Sequence, residues 1–174
     1  TVVMMFGSYR PLMPVFAKDI FQVGPAGLGA LMSAPAVGAV LGTLSLLAMG
    51  NVARKGLLVL FAMLLYAVGV ALFGLSTWLA ASLVLAAILG FSDSLGVTPR
   101  IAMVQLLTPD HLRGRANAIF YGFAGMGPAL GYLVMGATAE LIGPRPTMVI
   151  GGVICTATVF GFWAGWRAFR EYRA

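Results

Sequence analysis

Charge is what this chain has least of. Five acidic side chains, one histidine (His111) and one cysteine (Cys155) occur in 174 residues, and 9% of the residues are charged. Soluble domains carry roughly 25% charged residues, so a water-facing surface cannot be assembled from this composition. A single cysteine excludes an internal disulfide and a multi-cysteine metal site. Too few histidines and cysteines remain for metal-assisted hydrolysis. A membrane serine protease needs a histidine at depth, and His111 lies in a loop. An aspartyl protease needs two carboxylates within the membrane, and Asp93 is the one that qualifies. No GxxxxGK[ST] string occurs, so no P-loop holds ATP phosphates. The chain therefore reads as neither an enzyme nor a nucleotide-driven pump, and it calls for no cofactor and no metal.

What is abundant is apolar surface: 60% of the residues are hydrophobic and the mean hydropathy is +0.97. A helix needs about 20 apolar residues to cross a bilayer, and six such runs are present, at approximately 1–17, 27–48, 57–75, 79–106, 116–139 and 147–166. The first already starts apolar at Thr1, so the chain reads as a fragment opening inside a helix. None of the runs alternates as barrel strands do, and a lone span must satisfy its own backbone, so the fold class is an all-α membrane protein. The net charge of +6 sits in short clusters between the runs, not on an amphipathic face, which argues against a nucleic-acid partner.

Those clusters orient the bundle. Arg54, Lys55, Arg113, Arg115, Arg167, Arg170 and Arg173 fall on one side; Lys18 and Arg145 fall on the other. The arginine-rich side is read as cytoplasmic, with the C-terminus there too. Pro35-Ala36-Val37-Gly38 recurs 93 residues later as Pro128-Ala129-Leu130-Gly131, in helices of opposite direction. That spacing is what an inverted 3+3 repeat would produce. Pro35, Gly38, Gly42, Gly127, Pro128 and Gly131 read as packing or hinge positions, because small residues let helices approach and proline frees backbone groups.

Asp93 carries the functional expectation. No charge precedes it back to Lys55 and none follows before Arg100. A carboxylate or guanidinium at mid-span costs about 2.5–3.5 kcal/mol on insertion scales. Asp93, Arg100 (two turns later on the same face) and Arg10 in the first run are therefore expected to face a protein interior or an aqueous cavity. Two readings stay open: a fixed ion pair that ties helices together, or a carboxylate on a proton or substrate path. Burial and a neighbouring arginine act on its proton affinity in opposite senses.

The loop Thr108-Pro109-Asp110-His111-Leu112-Arg113-Gly114-Arg115 reads as a short capped helix start, with arginines free to bind the cytoplasmic ends of neighbouring helices. Here the chain resembles the C-terminal half of the major facilitator superfamily. Arg100, Gln105 and Pro109-x-x-x-Arg113-Gly114-Arg115-x-Asn117-Ala118 look like that family's loop between its tenth and eleventh helices, closest to the macrolide-efflux and enterobactin-exporter-like branch. Gly127-Pro128-x-x-Gly131 and Tyr9-x-Pro11-Leu12-x-Pro14-Val15-Phe16-Ala17 are similar to its eleventh and seventh helices. The resemblance implies half of a twelve-helix transporter, an N-terminal six-helix half as partner, alternating access and proton-coupled export of a small hydrophobic or amphipathic molecule, a drug or a siderophore, across the bacterial inner membrane. Pro109, Asp110, Arg113, Gly114 and Arg115 would then form a cytoplasmic gating loop. One departure stands out: the matching loop Gly50-Asn51-Val52-Ala53-Arg54-Lys55-Gly56 keeps the basic residues but lacks the family's acid. The alternative to a transporter half is a structural or assembly subunit that needs no cavity.

Overall fold

The computed structural model describes residues 2–50 and 55–165. Among these residues the protein is a bundle of long helices without strands: α3 (Pro25–Met49), α4 (Lys55–Leu75), α5 (Leu79–Leu107), α6 (Arg113–Ile142) and α7 (Pro144–Gly165). Five helices are long and apolar enough to cross a membrane. Their ends reflect local chemistry. Pro25 opens α3 with its fixed φ, and Gly50, at φ 59°, ends it. Gly143, at φ 89°, separates α6 from the proline that starts α7. Between α4 and α5 the Ser82 hydroxyl donates to the Ser76 hydroxyl (2.8 Å), holding the tight reversal at 76–78.

The first expected span departs from the reading of residues 1–17 as one continuous helix. It is broken into α1 (Val2–Phe6), a 3-10 turn (Arg10–Leu12), a single turn α2 (Met13–Val15) and a π-helical turn (Phe16–Ile20). Pro11 and Pro14 cannot donate backbone hydrogen bonds, so α1 does not continue through them. The carbonyl of Gly7, freed at the break, accepts a hydrogen bond from the buried Tyr66 hydroxyl (2.9 Å). Irregular backbone at membrane depth is tolerated where it is buried in protein or lines a cavity, and here both hold.

A second correction concerns the loop after α5. The Thr108 hydroxyl does not cap the next helical turn; it donates back to the Val104 carbonyl (2.6 Å). A 3-10 turn, Asp110–Leu112, comes next, and Arg113, Gly114 and Arg115 form the first turn of α6 instead of lying in a loop. Arg54, Arg167, Arg170 and Arg173, used for orientation, lie outside the described residues, as do Asn51, Val52 and Ala53.

The packing has the symmetry of an inverted repeat. α3 lies along α5, while α6 lies along α1 and the Arg10–Leu12 turn; α4 packs on α5, while α7 packs on α1; and α4 and α7 pack on each other. Exchanging the first three segments for the last three maps these contacts onto one another, α4 against α7 onto itself, whereas the packing of α6 on α7 has no counterpart of like extent between α3 and α4. Small residues make both crossings. A Cβ on Gly38 would run into the Ala87 carbonyl, and one on Gly90 into the Pro35 carbonyl. Across the bundle a Cβ on Gly131 would strike the Ser8 hydroxyl. Gly42 and Gly127 are also buried. The core joins the halves through Phe16, Phe73, Leu89, Met135, Met148 and Cys155, with the Phe16 and Phe73 rings 5.2 Å apart.

Candidate functional site

Asp93 lies midway along α5, and residues three and four apart on a helix share a face. Asp93, Gly96, Val97, Arg100, Ile101 and Val104 therefore form one stripe. Helical side chains lean toward the N-terminus. Arg100 accordingly folds back, and its Nε donates to the Gly96 carbonyl at 2.6 Å. The glycine leaves it room: a Cβ at position 96 would sit 3.0 Å from Arg100 Nη2, close enough to shift the end of that side chain by a few tenths of an ångström.

Three cavities meet at Asp93. One, of about 170 Å³, is lined by Ser8, Tyr9, Arg10, Tyr66, Pro128 and Tyr132 as well as Asp93. A second, of about 350 Å³, lies on the other side of Arg10, against Met13, Met32, Pro35, Ala36, Ala39 and Gly90. These two are related by the repeat: Pro35 and Ala39 in one correspond, 93 residues on, to Pro128 and Tyr132 in the other. The third, about 680 Å³, is a groove between α5 and α6 running from Asp93 and Pro128 to Val104 and Ala116. Twelve residues of helix at 1.5 Å each make it roughly 18 Å long.

Asp93 is not locked into an ion pair. Among the described residues the one pair within 4.0 Å is Asp110–Arg113, at 2.9 Å. Asp93 is within electrostatic reach of Arg100 and Arg10, yet its Oδ1 is buried without a hydrogen-bond partner. A buried acceptor without a partner is unusual and marks a place where a proton, water or ligand group is accommodated. Asp93 therefore enters no closed salt bridge among the described residues.

The structure thus gathers Asp93, Arg10, Arg100, Pro35 and Pro128 around one region. It keeps Pro109, Asp110, Arg113, Gly114 and Arg115 apart, exposed at the far end of α5. Tyr9, Met13, Met32, Phe120 and Phe123 each line one of the three cavities. Sequence reasoning missed Tyr66, Tyr132 and Gly96. Tyr66 did leave a signal, as the one side chain bearing a polar group between Leu57 and Leu75.

The sequence matches the family model of the Major Facilitator Superfamily over residues 1–173. Among curated proteins it is similar to the enterobactin exporter EntS of Escherichia coli O139:H28 (strain E24377A / ETEC), 29% identical over 140 residues. It is equally similar to EntS of Escherichia coli O9:H4 (strain HS) and of Shigella boydii serotype 18 (strain CDC 3083-94 / BS512). Each alignment covers 80% of this chain and 33% of the relative, so the matched stretch spans a third of those proteins. No solved structure matches the chain.

Proposed function

The chain belongs to the Major Facilitator Superfamily, and on that premise we propose that it is the C-terminal six-span half of a secondary active exporter. Its substrate is a small hydrophobic or amphipathic molecule such as a drug or a siderophore, in keeping with relatives described as enterobactin exporters. The cycle exchanges that molecule for protons across the inner membrane, with the C-terminus on the cytoplasmic side. A six-span N-terminal half completes the transport path.

One observation carries the reading: Asp93 keeps an unpartnered buried oxygen where three cavities meet. An assembly subunit would have no use for an open carboxylate at a cost of about 2.5–3.5 kcal/mol on insertion. As the carboxylate binds and releases a proton, the charge facing Arg10 and Arg100 changes, and that change is available to favour one helix arrangement over another. Asp93→Asn in the full-length protein tests this. Proton-driven efflux falls to background while the amount in the membrane stays normal; efflux at the parental rate removes Asp93 from the mechanism.

A further inference from the structure

We propose that the groove between α5 and α6 binds an amphipathic anion, an acid on an aromatic or branched apolar body, with Arg100 holding the acid group. The proposal deepens the exporter reading by naming the charge of the substrate. It rests first on charge arithmetic. Arg100 and Asp93 both line the groove, and Arg10, which lines the two cavities adjoining it at Asp93, leaves the region as a whole positive by one charge even with Asp93 ionised. The other titratable side chains lining a cavity with Asp93 are the phenols of Tyr9, Tyr66, Tyr121 and Tyr132, which add no second carboxylate. A cation drawn to Asp93 meets two like charges nearby in a poorly screened setting; an anion in the groove meets Arg100 directly and Arg10 at longer range, against the single opposing charge of Asp93.

The second ground is unused hydrogen-bonding capacity. A guanidinium has five N–H donors in a planar fork suited to carboxylates. The Arg100 Nε is committed to the Gly96 carbonyl, and among the described residues no carboxylate stands within 4.0 Å of its fork. The anchored Nε fixes the direction of the remaining donors, and Arg100 lines the groove. Third, the walls beyond it are apolar: Ile101 and Val104 from α5 face Ile119, Phe120 and Phe123 from α6. A ligand with its acid at Arg100 lays its body along these side chains.

A pair of probes of one shape and opposite charge decides the matter: 1-naphthoate and 1-naphthylmethylammonium, titrated into purified full-length protein in detergent. Naphthoate binds about tenfold or more tightly than the ammonium, and Arg100→Gln removes that preference while Arg100→Lys keeps most of it. Asp93→Asn, which removes the competing negative charge, tightens naphthoate binding even though efflux is lost. Should Arg100→Gln fail to fold, Gly96→Ala crowds the guanidinium but keeps its charge, and it weakens naphthoate binding. Tighter binding of the ammonium, abolished by Asp93→Asn, overturns the proposal and makes the groove a cation site. Equal binding of both probes, indifferent to Arg100, also overturns it. The readout needs no transport, so a protein that binds naphthoate through Arg100 but does not export refutes the exporter reading alone.

Discussion

Tyr66 and Arg113 mark the two extremes of what a single polar side chain does in this protein. The Tyr66 hydroxyl, buried in the most apolar span, serves the carbonyl freed where the first segment breaks. Removing it leaves a buried acceptor unmet, at a cost of about 1–3 kcal/mol. Tyr66→Phe is expected to lower the unfolding midpoint in detergent clearly, without changing the amount of protein inserted. Arg113 pairs with Asp110 across one turn at the surface, both side chains more than half exposed. Such pairs contribute roughly 0–1 kcal/mol, so Arg113→Ala is expected to shift the same midpoint little, and less still in high salt. Asp93 resembles neither: it is half-buried at the edge of three cavities, with one carboxylate oxygen buried and unpaired. The sequence singled out Asp93, Arg10 and Arg100, because isolated charge in an apolar run is visible without coordinates. Gly96 was not legible, since its importance comes from where the Arg100 side chain folds back.

At the scale of helices, two crossings decide the bundle, and both depend on missing methyl groups. Association inside a bilayer gains nothing from expelling water, so close approach and dispersion must hold helices together. Gly38 meets the Ala87 carbonyl and lies 2.9 Å from the Phe91 nitrogen at the position a Cβ would take. Gly38→Ala forces α3 and α5 apart and is expected to cost about 1–3 kcal/mol in unfolding measurements. Gly136 lies on α6 with nothing within 4 Å of such a Cβ. Gly136→Ala is expected to be neutral or to stabilise by up to roughly 1 kcal/mol, because alanine favours helix. The proline-glycine repeat in the sequence indicated which helices pack closely. It did not indicate that the first segment would break, since hydropathy measures how oily a segment is and not whether its backbone can continue.

For the whole molecule, the decisive quantity is which end of the bundle faces which compartment. The turn at 76–78 and the turn at 110–112 lie at opposite ends of α5, whose 29 residues span roughly 43 Å. Cys155 is fully buried, so it leaves little background for thiol labelling. Thr77→Cys is expected to react with an impermeant maleimide on intact cells, and Asp110→Cys only after permeabilisation. The reverse order would invert the orientation read from the arginines, and with it the direction in which the groove between α5 and α6 opens.

Insertion, an all-helical fold, the approximate extent of the later spans and the identity of the isolated charges were settled by composition and order alone. They depend on how each short stretch of chain partitions between water and hydrocarbon, which is a local property. Tertiary structure decided the rest: that Asp93 has no partner, that Arg100 turns back onto Gly96, and that a groove remains between α5 and α6. Each of these depends on separations of a few ångströms between segments far apart in the chain, where one methyl group determines whether two helices touch or leave a cavity.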